Sequence, residues 1–206
     1  MQVCLAIGYL HDKKIIYRDL KPENILMDEN GYLCLTDFGL AKILQDGQQA
    51  NTFCGTPDYL APEILSDSGH GFPVDWWAIG ILTYEMIVGC PPFFTQSNNY
   101  EKMYQMIKKR AVHFPDPERY KIFMSDECKD FISKLLEKDP ANRLGTKGGI
   151  AEVLQHPWLK SIDVNKLLKG QLESPYQPKL SKNIFDVSAF DQEFTSEEAV
   201  ITMLDK

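Results

Sequence analysis

Apolar residues at Val3, Ile7 and Leu10, with Leu5 and Ala6 beside them, recur at helical spacing until Asp12-Lys13-Lys14 interrupts. No capping residue precedes Met1, so the spacing predicts that residue 1 already lies within a helix. Between residues 15 and 42 the period shortens. Ile15-Ile16-Tyr17 and Ile25-Leu26-Met27 read as short strands, Asp28-Glu29-Asn30-Gly31 as a turn, and Tyr32-Leu33-Cys34-Leu35-Thr36 as a returning strand. From Gly47 to Pro62 the composition is polar and loop-like. Val74 to Val88 carries Trp76, Trp77, Ile79, Ile81, Leu82, Met86 and Ile87, and a helix apolar nearly all round is a buried one. Gly89 and Pro91-Pro92 end it. Amphipathic helices are expected at 97–110 and 126–138, the second opening with the capping residue Ser125, and another at 149–155. After Ser161 the patterning weakens, and Ser174-Pro175-Tyr176-Gln177-Pro178 reads as an extended tail.

At 206 residues, with 44% hydrophobic and 25% charged positions, the chain can bury a sizeable core and is not disordered in bulk. Acids exceed bases, 29 against 22, so a net charge of −7 gives no support to nucleic-acid or anionic-membrane binding. Cys4, Cys34, Cys54, Cys90 and Cys128 are scattered, odd in number and form no CxxC pair. A disulfide framework or zinc site does not follow, and a reducing compartment is expected: cytoplasmic, with the nucleus also compatible. No run reaches the roughly 18 apolar residues that a membrane span needs. His11, His70, His113 and His156 show no metal-ligand spacing and are read as solvated or core residues.

The strongest chemical signal is Tyr17-Arg18-Asp19-Leu20-Lys21-Pro22-Glu23-Asn24, followed 18 positions after Asp19 by Asp37-Phe38-Gly39. Magnesium takes hard oxygen ligands and shares them with substrate phosphates, and Asn24 and Asp37 offer such oxygens. Asp19 can accept a hydroxyl proton, and Lys21 can offset charge on a transferred phosphoryl group.

In this order the two motifs resemble the catalytic-loop and Asp-Phe-Gly motifs of eukaryotic protein kinases. The resemblance runs on through Ala61-Pro62-Glu63, Asp75-Trp76-Trp77-Ala78-Ile79-Gly80 and Asn142-Arg143-Leu144-Gly145. It implies a mainly α, kinase-like C-terminal lobe over 1–158, with a few short strands around the catalytic loop. It also implies ATP and Mg²⁺ as cofactors. In the resembling family Asp19 matches the catalytic base, Lys21 the γ-phosphate contact, and Asn24 and Asp37 the magnesium ligands. Leu26 matches the floor beneath adenine. Glu63 and Arg143 match a buried ion pair, and Asp75 the brace of the catalytic-loop backbone.

Lys21-Pro22-Glu23 and Gly55-Thr56-Pro57 are similar to serine/threonine kinases. Tyr17 in place of the usual histidine, with Thr52-Phe53-Cys54-Gly55-Thr56-Pro57, is similar to the AGC group. The resemblance makes Thr52 the activation-loop phosphorylation site of an upstream activating kinase, with Arg18 and Lys42 as the partners of its phosphate. Residues 159–206, with Tyr176-Gln177-Pro178-Lys179 and Phe190-Asp191-Gln192-Glu193-Phe194-Thr195, resemble the AGC tail, in which Phe190 approaches the nucleotide. Phe185, Phe190 and Phe194 alone read as aromatic anchors for a groove or as chance aromatics. Glu23 and Glu85 match positions that read arginine upstream of the acceptor. The implied substrates are therefore proteins with Ser or Thr near Arg or Lys, met by Glu23, Thr56 and Glu85.

The 206 residues contain no Gly-x-Gly-x-x-Gly loop, no strand lysine in a Val-Ala-Ile-Lys setting and no glutamate helix to pair with it, and kinase activity requires that lysine–glutamate pair as well as the metal aspartate. The expectation is a large lobe lacking its ATP-binding partner lobe, inactive and weak in nucleotide binding by itself. The alternative is a non-catalytic binding or decoy module, although such a module has no need of metal ligands. Apolar surface that should meet the small lobe, Phe38 above all, is expected to be exposed.

Overall fold

The computed structural model describes residues 1–45, 47–66, 68–95, 99–179, 186–188, 190 and 192–196. The first helix, α1 (Gln2–Asp12), starts at Met1 with no side-chain cap. Two strands that pair with each other flank residues 17–41: β1 (Ile15–Ile16) and β4 (Lys42–Ile43), in register Ile15 with Ile43 and Ile16 with Lys42. Between them lies the hairpin β2 (Ile25–Met27) and β3 (Leu33–Leu35), with Leu26 opposite Cys34. The strand pattern of the sequence holds, except that β4 was not legible. Its two residues pair only with the distant Ile15-Ile16, so periodicity has nothing to act on.

The long apolar helix is α2 (Pro73–Val88), buried without a break from Val74 to Tyr84. Pro73 occupies its first turn, where a missing N–H costs nothing. Gly89, at φ +88°, stops it and returns its N–H to the Glu85 carbonyl at 2.8 Å. α3 (Tyr100–Lys109) starts after Asn99, whose side chain accepts from the Lys102 N–H, and residues 97 and 98 of the expected helix lie outside the described residues. A short α4 (Pro117–Tyr120), capped by Asp116, was not expected, because one turn carries no periodic signal.

Ser125 caps α5 (Asp126–Leu135) by accepting from the Cys128 N–H at 3.2 Å. This helix ends three residues earlier than its apolar pattern suggested. Asp139-Pro140 forces the chain out of helix just beyond. α6 (Gly149–Leu154) matches its expected place, and α7 (Val164–Leu168) and α8 (Gln192–Thr195) follow in the weakly patterned region.

The core gathers around α2. It packs on α5, while α1 packs against α6 and β3. Trp76, Trp77, Phe131, Ile132, Leu135 and Ile81 are the large side chains at the centre. Gly80 allows the α2–α5 approach: a Cβ there would lie 2.8–2.9 Å from Leu136 and Leu135. The result is a mainly helical body with two small two-stranded sheets at one end. That end carries the polar motifs. No described helix is long and apolar enough to cross a membrane.

Candidate active site

Tyr17 to Asn24 form the loop between β1 and β2. Tyr17 is fully buried, donates its hydroxyl to the Thr36 carbonyl, and meets Phe38 edge-on at 5.5 Å. Burial, then the charge of Asp19, pushes its hydroxyl up to about 12, so it stays a neutral strut. Arg18 sits at φ +71°, a conformation that non-glycine residues avoid and that costs on the order of 1–3 kcal/mol. Asp75, with no exposed surface, holds this backbone: it accepts from the Tyr17 N–H at 2.9 Å and the Arg18 N–H at 2.8 Å. His11 Nε2 completes the carboxylate at 2.8 Å. Asp75 thus bonds the backbone of this loop, and His11 is a partner that the sequence did not reveal.

The carboxyl of Asp19 is 7% exposed and is surrounded by donors. Lys21 Nζ and Asn24 Nδ2 both lie 3.0 Å from Oδ2, and Thr56 donates to Oδ1 at 2.9 Å. Burial alone would raise its pKa. The hydrogen bonds from Lys21, Thr56 and Asn24, with the lysine charge, win and hold it below the usual aspartate value. Asp19 is therefore an ionised acceptor at neutral pH, with a lysine beside it.

The β2–β3 register brings the second acid close. Thr36 N–H donates to the Asn24 carbonyl at 2.9 Å, which continues the ladder beyond Ile25 and Leu35 and brings the chain at Asp37 up to the Tyr17–Asn24 loop. Asp37 is exposed at φ +54°, and its Oδ1 accepts from the Gly39 N–H at 3.0 Å. Asn24 is buried, with Nδ2 also committed to the Asp19 carbonyl at 2.8 Å, which leaves its amide oxygen as the free hard donor. Among the described residues no group of three or more His, Cys, Asp or Glu side chains gathers for a metal. One carboxylate and one amide oxygen fit a magnesium ion that completes its shell with phosphate and water, and do not fit an all-protein cage. Around them Leu26 is 57% exposed and Phe38 50%, an open apolar face.

Residues 50–63 reach the Tyr17–Asn24 loop through Thr56. The Thr56–Asp19 hydrogen bond pins this segment, and an isolated bridge between Ala50 and His70 holds its start. Thr52 is exposed. Arg18 Nε donates to the Leu40 carbonyl at 2.7 Å, and its Nη1 is buried without a hydrogen-bond partner. His70, which the sequence left as a solvated or core histidine, is buried. Burial first, then the charges of Arg18 and Lys42, lower its pKa against the pull of Glu63 and Asp75. Arg18 Nη1 and His70 Nε2 are thus both buried without a hydrogen-bond partner.

Tyr59 marks the neighbouring acidic patch. Its hydroxyl bonds to Glu85, and burial, that bond, and the charges of Glu85, Glu23 and Asp58 all push it far up. Glu23 and Glu85 were expected here from the sequence. Asp58 was missed, because one acid in a turn has no distinguishing pattern. Farther back, Arg143 donates to both oxygens of Glu63 at 2.6 and 2.9 Å, and to the carbonyls of Pro73 and Glu137. Phe190 is 68% exposed. Phe185 and Asp191 lie outside the described residues, as does the Phe194 side chain.

Residues 1–159 match the family model described as "Protein kinase domain". The chain is 45% identical to Protein kinase 2 of Dictyostelium discoideum over 204 residues, 99% of the chain and 40% of that protein. It is 45% identical to Serine/threonine-protein kinase sgk-1 of Caenorhabditis elegans, covering 94% of the chain and 40% of that protein. Against cAMP-dependent protein kinase type 3 of Saccharomyces cerevisiae it is 43% identical, covering 93% and 46%. The chain thus spans less than half the length of these curated relatives.

Proposed function

The chain belongs to the protein kinase family, and from that premise we propose that it supplies the catalytic loop and peptide platform of an AGC-type serine/threonine kinase. The observation that carries this reading is the Asp19 carboxylate, ionised, buried and held by Lys21, Asn24 and Thr56. When bound, Mg-ATP supplies the γ-phosphoryl group and the cation that balances its oxygens. Asp19 orients the acceptor hydroxyl and takes its proton. Lys21, 3.0 Å from that carboxylate, is placed to meet the phosphoryl charge. Asn24 and Asp37 are the residues that would hold the cation. Thr56 ties substrate-side and catalytic loops together, so binding of the peptide and placement of Asp19 are coupled.

Glu23, Asp58 and Glu85, gathered around Tyr59, form the surface for arginine or lysine near the acceptor, which favours basic protein substrates. Thr52 is the site for an activating phosphate, and the orphaned Arg18 Nη1 with Lys42 is its counter-charge. The scattered free cysteines suit the cytoplasm. Nucleotide binding of full strength needs a glycine loop and a strand lysine, which these 206 residues do not contain.

The test joins the chain to the ATP-binding lobe of a relative and follows transfer to an Arg-rich serine peptide. Asp19→Asn should lower kcat by about 10²–10⁴ with the Mg-ATP affinity kept. Glu85→Ala should instead raise KM for the basic peptide and leave a neutral peptide unaffected. Unchanged transfer by Asp19→Asn would overturn the reading, and a folded, nucleotide-binding but inactive protein would favour the binding module.

A further inference from the structure

Leu172 to Tyr176 run without regular structure across the β2–β3 turn and are fastened to it by side-chain hydrogen bonds. The Tyr32 hydroxyl donates to the Leu172 carbonyl at 2.8 Å and accepts from the Leu172 N–H at 3.3 Å. Ser174 Oγ lies 2.7 Å from the Tyr176 carbonyl and 3.3 Å from that of Gly31, and accepts from the Tyr176 N–H at 3.3 Å. The fit leaves no spare room. Gly31 is at φ +81°, and a Cβ there would lie 2.1 Å from the Tyr176 carbonyl oxygen and 2.4 Å from Ser174 Oγ. Leu172, Ser174 and Pro175 also line an apolar cavity of about 680 Å³, together with Met27, Leu33 and Leu82.

Ser174 is followed by Pro175, and the chain contains one other Ser/Thr-Pro step, Thr56-Pro57. The two differ in setting. Thr56 is committed to Asp19 and leads straight into a tight helical turn. Ser174 stands in irregular chain between exposed Glu173 and exposed Pro175, and proline holds the residue before it extended. Its single hydroxyl proton is what makes the bonds to Tyr176 and Gly31.

We propose that Ser174 is a phosphorylation site for a proline-directed serine/threonine kinase, and that its phosphate releases Leu172–Tyr176 from the β2–β3 turn. In the step, Ser174 Oγ bonds to the γ-phosphorus of ATP and the bond from that phosphorus to the β–γ bridging oxygen breaks. ADP leaves with the electron pair, and the hydroxyl proton passes to the modifying enzyme's base. The ester has no proton to give to the Gly31 and Tyr176 carbonyls. It adds about −1.5 to −2 charge at neutral pH. Residues 170–178 and the turn 28–32 contain Glu173, Asp28 and Glu29 but no lysine or arginine, so the charges within both sides of the latch are negative, with Lys169 and Lys179 just beyond the ends of the tail segment. Loss of donation and added repulsion act in the same direction.

The test treats the whole chain, and a free peptide of residues 170–179, with a proline-directed kinase and Mg-ATP. Phosphosites are assigned by mass spectrometry, and amide exchange is followed over 170–177. Expected are phosphate on Ser174 and none on Thr56, with exchange of the Leu172 amide about tenfold faster after modification. Tyr32→Phe, which opens the same latch without phosphate, should speed that exchange as well, and Ser174→Ala should take up no label in the tail. A peptide modified while the chain is not would overturn the site. So would failure of both to be modified. Modification with unchanged exchange would overturn the release.

Discussion

Arg143→Met removes a guanidinium with no exposed side-chain surface while keeping most of its aliphatic bulk. What is lost is specific: two charged hydrogen bonds to Glu63, and bonds to the Pro73 and Glu137 carbonyls at 2.9 and 3.0 Å. What is left behind costs more, since Glu63 is only 8% exposed and keeps a carboxylate without its partner. Breaking one side of a buried pair typically destabilises by about 3–5 kcal/mol. Protonation of Glu63 and entry of water limit the damage from the stranded carbonyls, so we expect roughly 4 kcal/mol. That is a large share of the 5–15 kcal/mol typical of a domain, roughly speaking.

Urea unfolding followed by tryptophan fluorescence suits the measurement, because the Trp77 ring lies 5.2 Å from the guanidinium. The double variant Glu63→Met, Arg143→Met supplies the control. With both charges gone there is no stranded ion, so its loss should fall short of the summed single losses by about 2 kcal/mol or more. Strict additivity, or a loss below about 1 kcal/mol in Arg143→Met, would refute the reasoning that this pair ties residues 62–63 to the loop at 137–145.

Other expectations follow from the same packing. Lys138 lies over the Trp77 and Phe93 rings, and burial, then Arg143, lowers its pKa to about 8. Between that value and its unfolded value near 10.4, roughly, the unfolded chain binds more protons, so stability should rise with pH in this window. Lys138→Met should flatten the rise and stabilise the fold at neutral pH, and a slope unchanged in urea titrations at pH 8 to 10 would contradict this. Gly80→Ala should cost about 1–3 kcal/mol, read by thermal unfolding, because its methyl meets Leu135 and Leu136. Asp75→Asn should keep the fold but release the strained Arg18 backbone, seen as faster exchange of the Tyr17 and Arg18 amides. Protection equal to that of the native chain would count against the brace.

How far the sequence carried depended on whether a residue announces its partners locally. The buried character of α2 needed only its own residues, and so did the cap at Ser125 and the hairpin around Asp28–Gly31. The placement of Asp37 near Asn24 also follows from the hairpin, since strands of three residues leave little freedom of register. His11 and His70 were invisible for the opposite reason. His11 meets Asp75 across 64 positions, and His70 pairs with Ala50 from another segment. The tail latch shows both sides. Its extended character was legible from Ser174-Pro175, but its seat on Gly31 and Tyr32 is a contact over some 140 positions.

Phosphate transfer from labelled Mg-ATP to an Arg-rich serine peptide, by the chain joined to an ATP-binding lobe, tests the central claim most directly. The account predicts transfer that falls by about 10²–10⁴ in Asp19→Asn with nucleotide affinity kept. Transfer indifferent to Asp19 would contradict it, because the carboxylate held by Lys21, Asn24 and Thr56 would then have no part in the chemistry.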